Sequence, residues 1–169
     1  MNKQQALQKI KELEQYVDKL EENEAWIKID YSVIPKETFD KYGAKPFEIM
    51  KLKARENGKT ISNITWKEAK DKAKEMGYRL PSIQEMLVLL DAYKQKFPDN
   101  ADCRHKEFLG IEELSYENEV CYEWVDAPCS TTRGGYWDYG SDAGAFALIL
   151  SWSGTTSDHY VGFRMARTI

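Results

Sequence analysis

Apolar residues first recur along the chain with helical spacing. Ala6, Ile10, Leu13, Val17 and Leu20 stand four, three, four and three apart, with Lys and Glu between them. That pattern predicts a helix over residues 3–25. The seam covers little more than two heptads, and two readings stay open. One is a short coiled coil that gathers several copies into a homo-oligomer; the other is an amphipathic helix lying on its own domain. From Trp26 to Asn63 the text changes, and AWIKIDYSVIP and KPFEIMKLKA read as short strands separated by the turn-rich KYGAKP.

Helical spacing returns in ISNITWKEAKDKAKEMGYRLPS. There Thr65 and Glu68 form a capping box, Trp66, Ala69, Ala73 and Met76 define one face, and Gly77 supplies a left-handed stop. The next helix starts at Pro81 or Ser82, buries Ile83, Met86, Leu87, Leu89 and Leu90, and ends before Pro98. CYEWVDAP, FALIL and YVGFRMA then read as strands joined by turns. Alternation within FALIL sends Phe146, Leu148 and Leu150 one way and Ala147, Ile149 and Ser151 the other. With the first set in the core, Ile149 and Ser151 face outward beside Trp152, an apolar patch of the kind that marks interaction sites.

Composition narrows the class. The 169 residues are enough for one domain with a real core, divided as an amino-terminal helix (1–26) and a globular domain (27–169). A hydrophobic fraction of 42% with 31% charged residues describes a folded globular chain. The net charge of −4 argues against a nucleic-acid partner, because phosphate binding needs a basic surface. No run reaches the roughly 20 apolar residues of a membrane span, so no membrane insertion is expected. MNKQQALQKIKELEQYVDKL lacks the apolar run of a signal peptide, so synthesis in the cytoplasm is expected and the final location stays open. Cys103, Cys121 and Cys129 are odd in number; reduced thiols are expected, with one bridge as the alternative.

The closing stretch RGGYWDYGSDAGAFALILSWSGTTSDHYVGFRMAR mixes small and apolar residues with large, charged ones that follow no chemical pattern. Tyr and Trp offer wide contact area with few rotatable bonds, and Ser, Thr and Asp add adaptable hydrogen bonding, the chemistry of antibody loops. Together with ITWKEAKDKAKEMGYRLPSIQEM, the tripeptides EWV (Glu123 to Val125), RGG (Arg133 to Gly135) and GFR (Gly162 to Arg164) resemble the formylglycine-generating-enzyme branch of the C-type lectin fold. The match covers about residues 60–167. Within that branch the closing stretch is most similar to variable proteins of diversity-generating retroelements.

The resemblance implies an α+β C-type lectin fold of two helices and short antiparallel sheets, here with an added amino-terminal helix. It also implies a fixed frame (Arg133, Gly134, Gly135, Trp137, Gly140, Ala143, Gly144, Phe146, Ala147, Leu148, Leu150, Gly162, Phe163, Arg164) within a variable region of about 133–164. Scattered in that frame, Tyr136, Asp138, Tyr139, Asp142, Ile149, Ser151, Trp152, Thr156, Asp158, His159 and Tyr160 become the ligand-binding positions. In such systems a reverse transcriptase copies a template with errors at adenines, so Asn codons diversify. Trp is out of reach of an Asn codon, so Trp152 derives from another template codon or is fixed. The implied function is non-catalytic recognition of a protein or other macromolecular target. Viral or phage host attachment and cellular display are its settings, with no cofactor.

Other chemistries lack residues the sequence would need to supply. A formylglycine-generating oxidase would use two cysteines after the RGG, and none follows Gly135. A calcium-dependent sugar lectin would need a Glu-Pro-Asn or Gln-Pro-Asp tripeptide, which the chain lacks; Trp137-Asp138 is the only echo of its calcium site. Asp138, Asp142 and Asp158 are candidate acid–base carboxylates, but nothing in the sequence fixes their separation. Cys103 and His105 lack further ligands spaced to close a metal site, and His159 lacks a nucleophile and an orienting group. Arg164 is expected to be a buried structural cation paired with a carboxylate.

Overall fold

The structure, a computed structural model, describes residues 4–5, 7–13, 25–57, 59–98, 107–112, 122–127, 131–134, 148–149 and 153–169. Residues 7–13 form helix α1, within the predicted span, and its apolar side chains Leu7, Ile10 and Leu13 are 51%, 52% and 57% exposed. Elsewhere in that span residues 4–5 are helical, Ala25 stands in a turn, and residues 3, 6 and 14–24 lie outside the described residues.

The segment from Trp26 to Asn63 departs from the expectation of strands and turns. Between β1 (Trp26–Ile29) and β2 (Phe47–Met50) stands a helix, α2 (Lys36–Tyr42). Pro35 precedes it, Glu37 sits in its positive first turn and Lys41 in its negative last turn. Gly43 closes it at φ 67°, a conformation glycine adopts without steric cost. Seven residues make two turns, too few for a helical period to show in the sequence. Thr38 and Phe39 are its buried residues, and Phe39 meets Tyr31 edge to face at 5.2 Å.

After the hairpin β3 (Arg55–Glu56) and β4 (Lys59–Thr60) come α3 (Trp66–Glu75) and α4 (Ile83–Lys96). Both open on a capping box: Thr65 with Glu68, as predicted, and Ser82 with Glu85. Each box satisfies two backbone donors that a helix start leaves without intrahelical partners. Ala69 and Ala73 are buried as expected. Met76, expected on the same face, is exposed, because the helix ends at Glu75 and Met76 occupies the cap. Gly77 follows at φ 83°. On α4 the buried residues are Glu85, Met86, Val88, Leu89 and Tyr93. Val88 takes the full burial expected of Leu87, which is half-buried, while Ile83 and Leu90 pack at the margin.

The motif Arg79-Leu80-Pro81-Ser82 joins the two helices, and each residue has a task. Arg79 grips Glu85 with two hydrogen bonds of 2.8 and 2.6 Å, Leu80 is buried, the Pro81 carbonyl accepts from the Asp126 amide, and Ser82 caps α4.

Three strands form one sheet in the order β1-β2-β11 (β11, Ala166–Thr168). Four form another, β10-β7-β8-β9: β10 (Val161–Phe163), β7 (Tyr122–Val125), β8 (Thr131–Gly134) and β9 (Leu148–Ile149). β5 (Glu107–Phe108) and β6 (Ile111–Glu112) make a hairpin. The pairs are antiparallel apart from β10 with β7, which is parallel. YVGFRMA, expected as one strand, is therefore two strands in different sheets, with Arg164 and Met165 at the crossing.

Two core clusters result. One, which includes Phe39, Phe47, Leu89 and Val125, lies under α2 and α4. The other, with Ala69, Ala73, Trp124 and Phe163, lies under α3. Full burial of one such large side chain contributes about 1.5–3 kcal/mol. The architecture is the α+β arrangement of two main helices and short sheets that the lectin-fold resemblance implied.

Candidate binding face

The carboxy-terminal frame is built around Arg164. Its side chain is fully buried, and a buried guanidinium persists only when its donors are matched. Nη2 and Nε donate to Glu123 Oε1 at 2.8 and 3.2 Å, and Nη1 donates to the carbonyls of Met50 and Lys51. Lys53 Nζ stands 3.6 Å from the same carboxylate. Arg164 is thus the buried, carboxylate-paired cation that the sequence reading expected, and it also ties the end of β2 to β7. The strand it leaves, β10, sets Phe163 beside Trp124, and both are fully buried. EWV and GFR are one packed unit, with Glu123 answering Arg164 and Trp124 answering Phe163.

Two tryptophans lock this unit to the start of α3. Trp124 Nε1 donates to the Ile64 carbonyl at 2.7 Å, and Trp66 Nε1 donates to the Val125 carbonyl at 3.0 Å.

Immediately before the frame runs a loop, residues 153–160, in which exposed and half-buried positions alternate: Ser153, Thr155, Ser157 and His159 are exposed. Main-chain bonds fasten it to the helix start. The Trp66 amide, one of the donors a helix leaves unsatisfied, donates to the Gly154 carbonyl at 3.2 Å. The Asn63 amide donates to the Asp158 carbonyl at 3.0 Å. Within the loop, the Thr156 amide bonds to the Ser153 carbonyl and the Val161 amide to that of Asp158, so two turns follow one another.

Four predicted positions sit in this loop. Thr156 is half-buried and His159 is exposed. Asp158 uses its carboxylate locally: Oδ1 accepts from the Tyr160 amide at 2.9 Å and lies 3.1 Å from His159 Nδ1. Tyr160 packs partly against the second core and lies tilted against the His159 ring, centroids 3.7 Å apart. It is therefore partly committed to the fold. Ile149 lies on β9, paired with Thr132, in the same cross-strand row as Trp124 and Phe163. β9 and β10 are the outer strands of the described sheet, so Ile149 is three inter-strand steps, about 14 Å, from β10. Tyr136, Asp138, Tyr139, Asp142, Ser151 and Trp152 lie outside the described residues, as do Cys103, His105, Cys121 and Cys129.

Among the described residues no three or more of His, Cys, Asp and Glu come together as metal ligands, and no helix is long and apolar enough to cross a membrane. A separate groove of about 420 Å³ is lined by Met50, Lys51, Lys53, Arg55, Met76 and Met165, with Ala25 and Leu52. Among the described residues its lining has no carboxylate or histidine. The residues that fasten the loop, Asn63 and Trp66, were not read from the sequence as part of the site. Their contribution is through backbone amides, which leave no side-chain signature; the left-handed φ of 54° at Asn63 is of a kind Asn tolerates.

No protein-family model and no curated protein matches the chain. Among solved structures it is similar to the Major Tropism Determinant, U1 variant: 13% identity over 76% of this chain and 47% of that one, TM-score 0.45. The M1 variant is similar at 12% identity over 84% of this chain and 48% of that one, TM-score 0.46. The chain spans about half the length of those structures, and the functional reading rests on the site itself.

Proposed function

We propose that the carboxy-terminal region is a recognition surface that binds a protein or other macromolecular target without catalysis. Its side chains are diversified by a retroelement, for viral or phage attachment or for cellular display. The observation that carries this reading is the abrupt change at Tyr160. Up to that residue the loop presents alternating exposed side chains on a backbone fastened by main-chain bonds; from Val161 to Ala166 every residue is buried. A backbone held in this way loses little entropy on binding, so affinity depends on what is displayed.

The test is combined replacement of Tyr136, Tyr139, Thr156 and His159 with Ala, followed by thermal unfolding and by selection against macromolecular targets alongside a library randomised at the eleven predicted positions. The expected result is a melting temperature close to that of the parent and target-specific binders from the library. A library in which most members fail to fold would overturn the reading. So would a chromosomal neighbourhood with neither a reverse transcriptase nor a near-copy of the region differing at adenines.

A further inference from the structure

We infer that the amino-terminal helix joins two copies of this chain as a parallel, two-stranded coiled coil. In α1, Leu7, Ile10 and Leu13 each remain more than half exposed with the globular domain in place, so that domain does not cover them. Three large apolar side chains left in water on one short helix need another surface. The sequence says which. Ile10 and Val17 take the first apolar position of consecutive heptads, and Ala6, Leu13 and Leu20 take the second. β-branched residues at the first position with Leu at the second favour two strands over three or four.

Leu7 and Tyr16 fall on the flanks of this seam and widen it, and the other positions agree with it. Those facing away from a partner are polar throughout (Gln8, Lys11, Glu12, Gln15, Asp18, Lys19), and Gln8 donates to Glu12 across one turn at 3.1 Å. On the flanks, Lys9 precedes the seam and Glu14 follows it five residues later. In a parallel pair these two positions face each other across the interface with opposite charge. In an antiparallel pair each would meet its own copy. A helix of this length is marginal alone in water, so pairing also supplies the burial that keeps it folded. The dimer stands independently of what the carboxy-terminal face binds. If that face recognises a target, both domains leave the same end of the coil, and a repetitive target meets two copies at high effective concentration.

Sedimentation equilibrium of the full chain across a wide concentration range tests this. The expected mass at the upper end is twice the chain's 19.6 kDa. Ile10→Glu with Leu13→Glu should return the mass to 19.6 kDa at every concentration while the melting transition of the globular domain is unchanged. Lys9→Glu should weaken the dimer several-fold, and adding Glu14→Lys should restore it. A wild-type monomer, a threefold mass, a dimer that survives the Ile10/Leu13 change, or indifference to Lys9→Glu would each overturn the proposal.

Discussion

The loop 153–160 and the segment 161–166 are adjacent in sequence and held by opposite means. In the loop, half of the residues are exposed, and backbone-to-backbone bonds fasten it to the start of α3. In the segment every residue is buried, and side chains do the fastening: Phe163 by packing on Trp124, Arg164 by its hydrogen bonds to Glu123, Met50 and Lys51. The difference teaches that shape and display are separated here across a short boundary at Tyr160, which itself leans on the core. Substitution on either side of it should therefore have consequences of different size.

The largest loss is expected from Arg164→Ala. It leaves the Glu123 carboxylate buried without its guanidinium and two carbonyls without their donor, a class of change that costs about 3–5 kcal/mol, read by urea unfolding. Phe163→Ala should come close, at about 3–5 kcal/mol, through the cavity left against Trp124. Thr65→Ala, which removes the cap where the loop is fastened, should cost about 1 kcal/mol. Thr156→Ala with His159→Ala should stay within about 0.5 kcal/mol of the parent. If that pair proved as damaging as Arg164→Ala, the contrast between the two stretches would be gone.

The smallest effect concerns acid. Asp30 is held at about 2, below its usual 3.8, by the Ser32 hydroxyl and Lys28, and Glu68 is lowered by its capping bonds to Thr65. A carboxylate lowered by folding adds stability above its unfolded value and loses it as the pH falls through the folded one. Wild-type melting temperature should thus drop between about pH 4 and pH 2, and Asp30→Asn should flatten part of that drop. An unchanged profile would show that Asp30 keeps the same partners after unfolding.

What could be read in the sequence follows from how local each cause is. The capping box at Thr65, the stop at Gly77 and the end of α4 before Pro98 are decided within a few residues, and they stand where the pattern put them. α2 was invisible because two turns display no period. The break in YVGFRMA was invisible for the opposite reason: the carbonyls that Arg164 needs belong to Met50 and Lys51, more than a hundred residues away. Of the site, the motif resemblance singled out the loop and the buried cation. It could not say that Asp158 would hold a turn or that Tyr160 would lean on the core, since both depend on the folded partners.

The fastening of the loop has a consequence for heredity. The bonds from Trp66 to Gly154 and from Asn63 to Asp158 involve peptide atoms common to every amino acid, so they do not register which codon stands at Thr155, Ser157 or His159. A change at any of those codons leaves both fastening bonds in place.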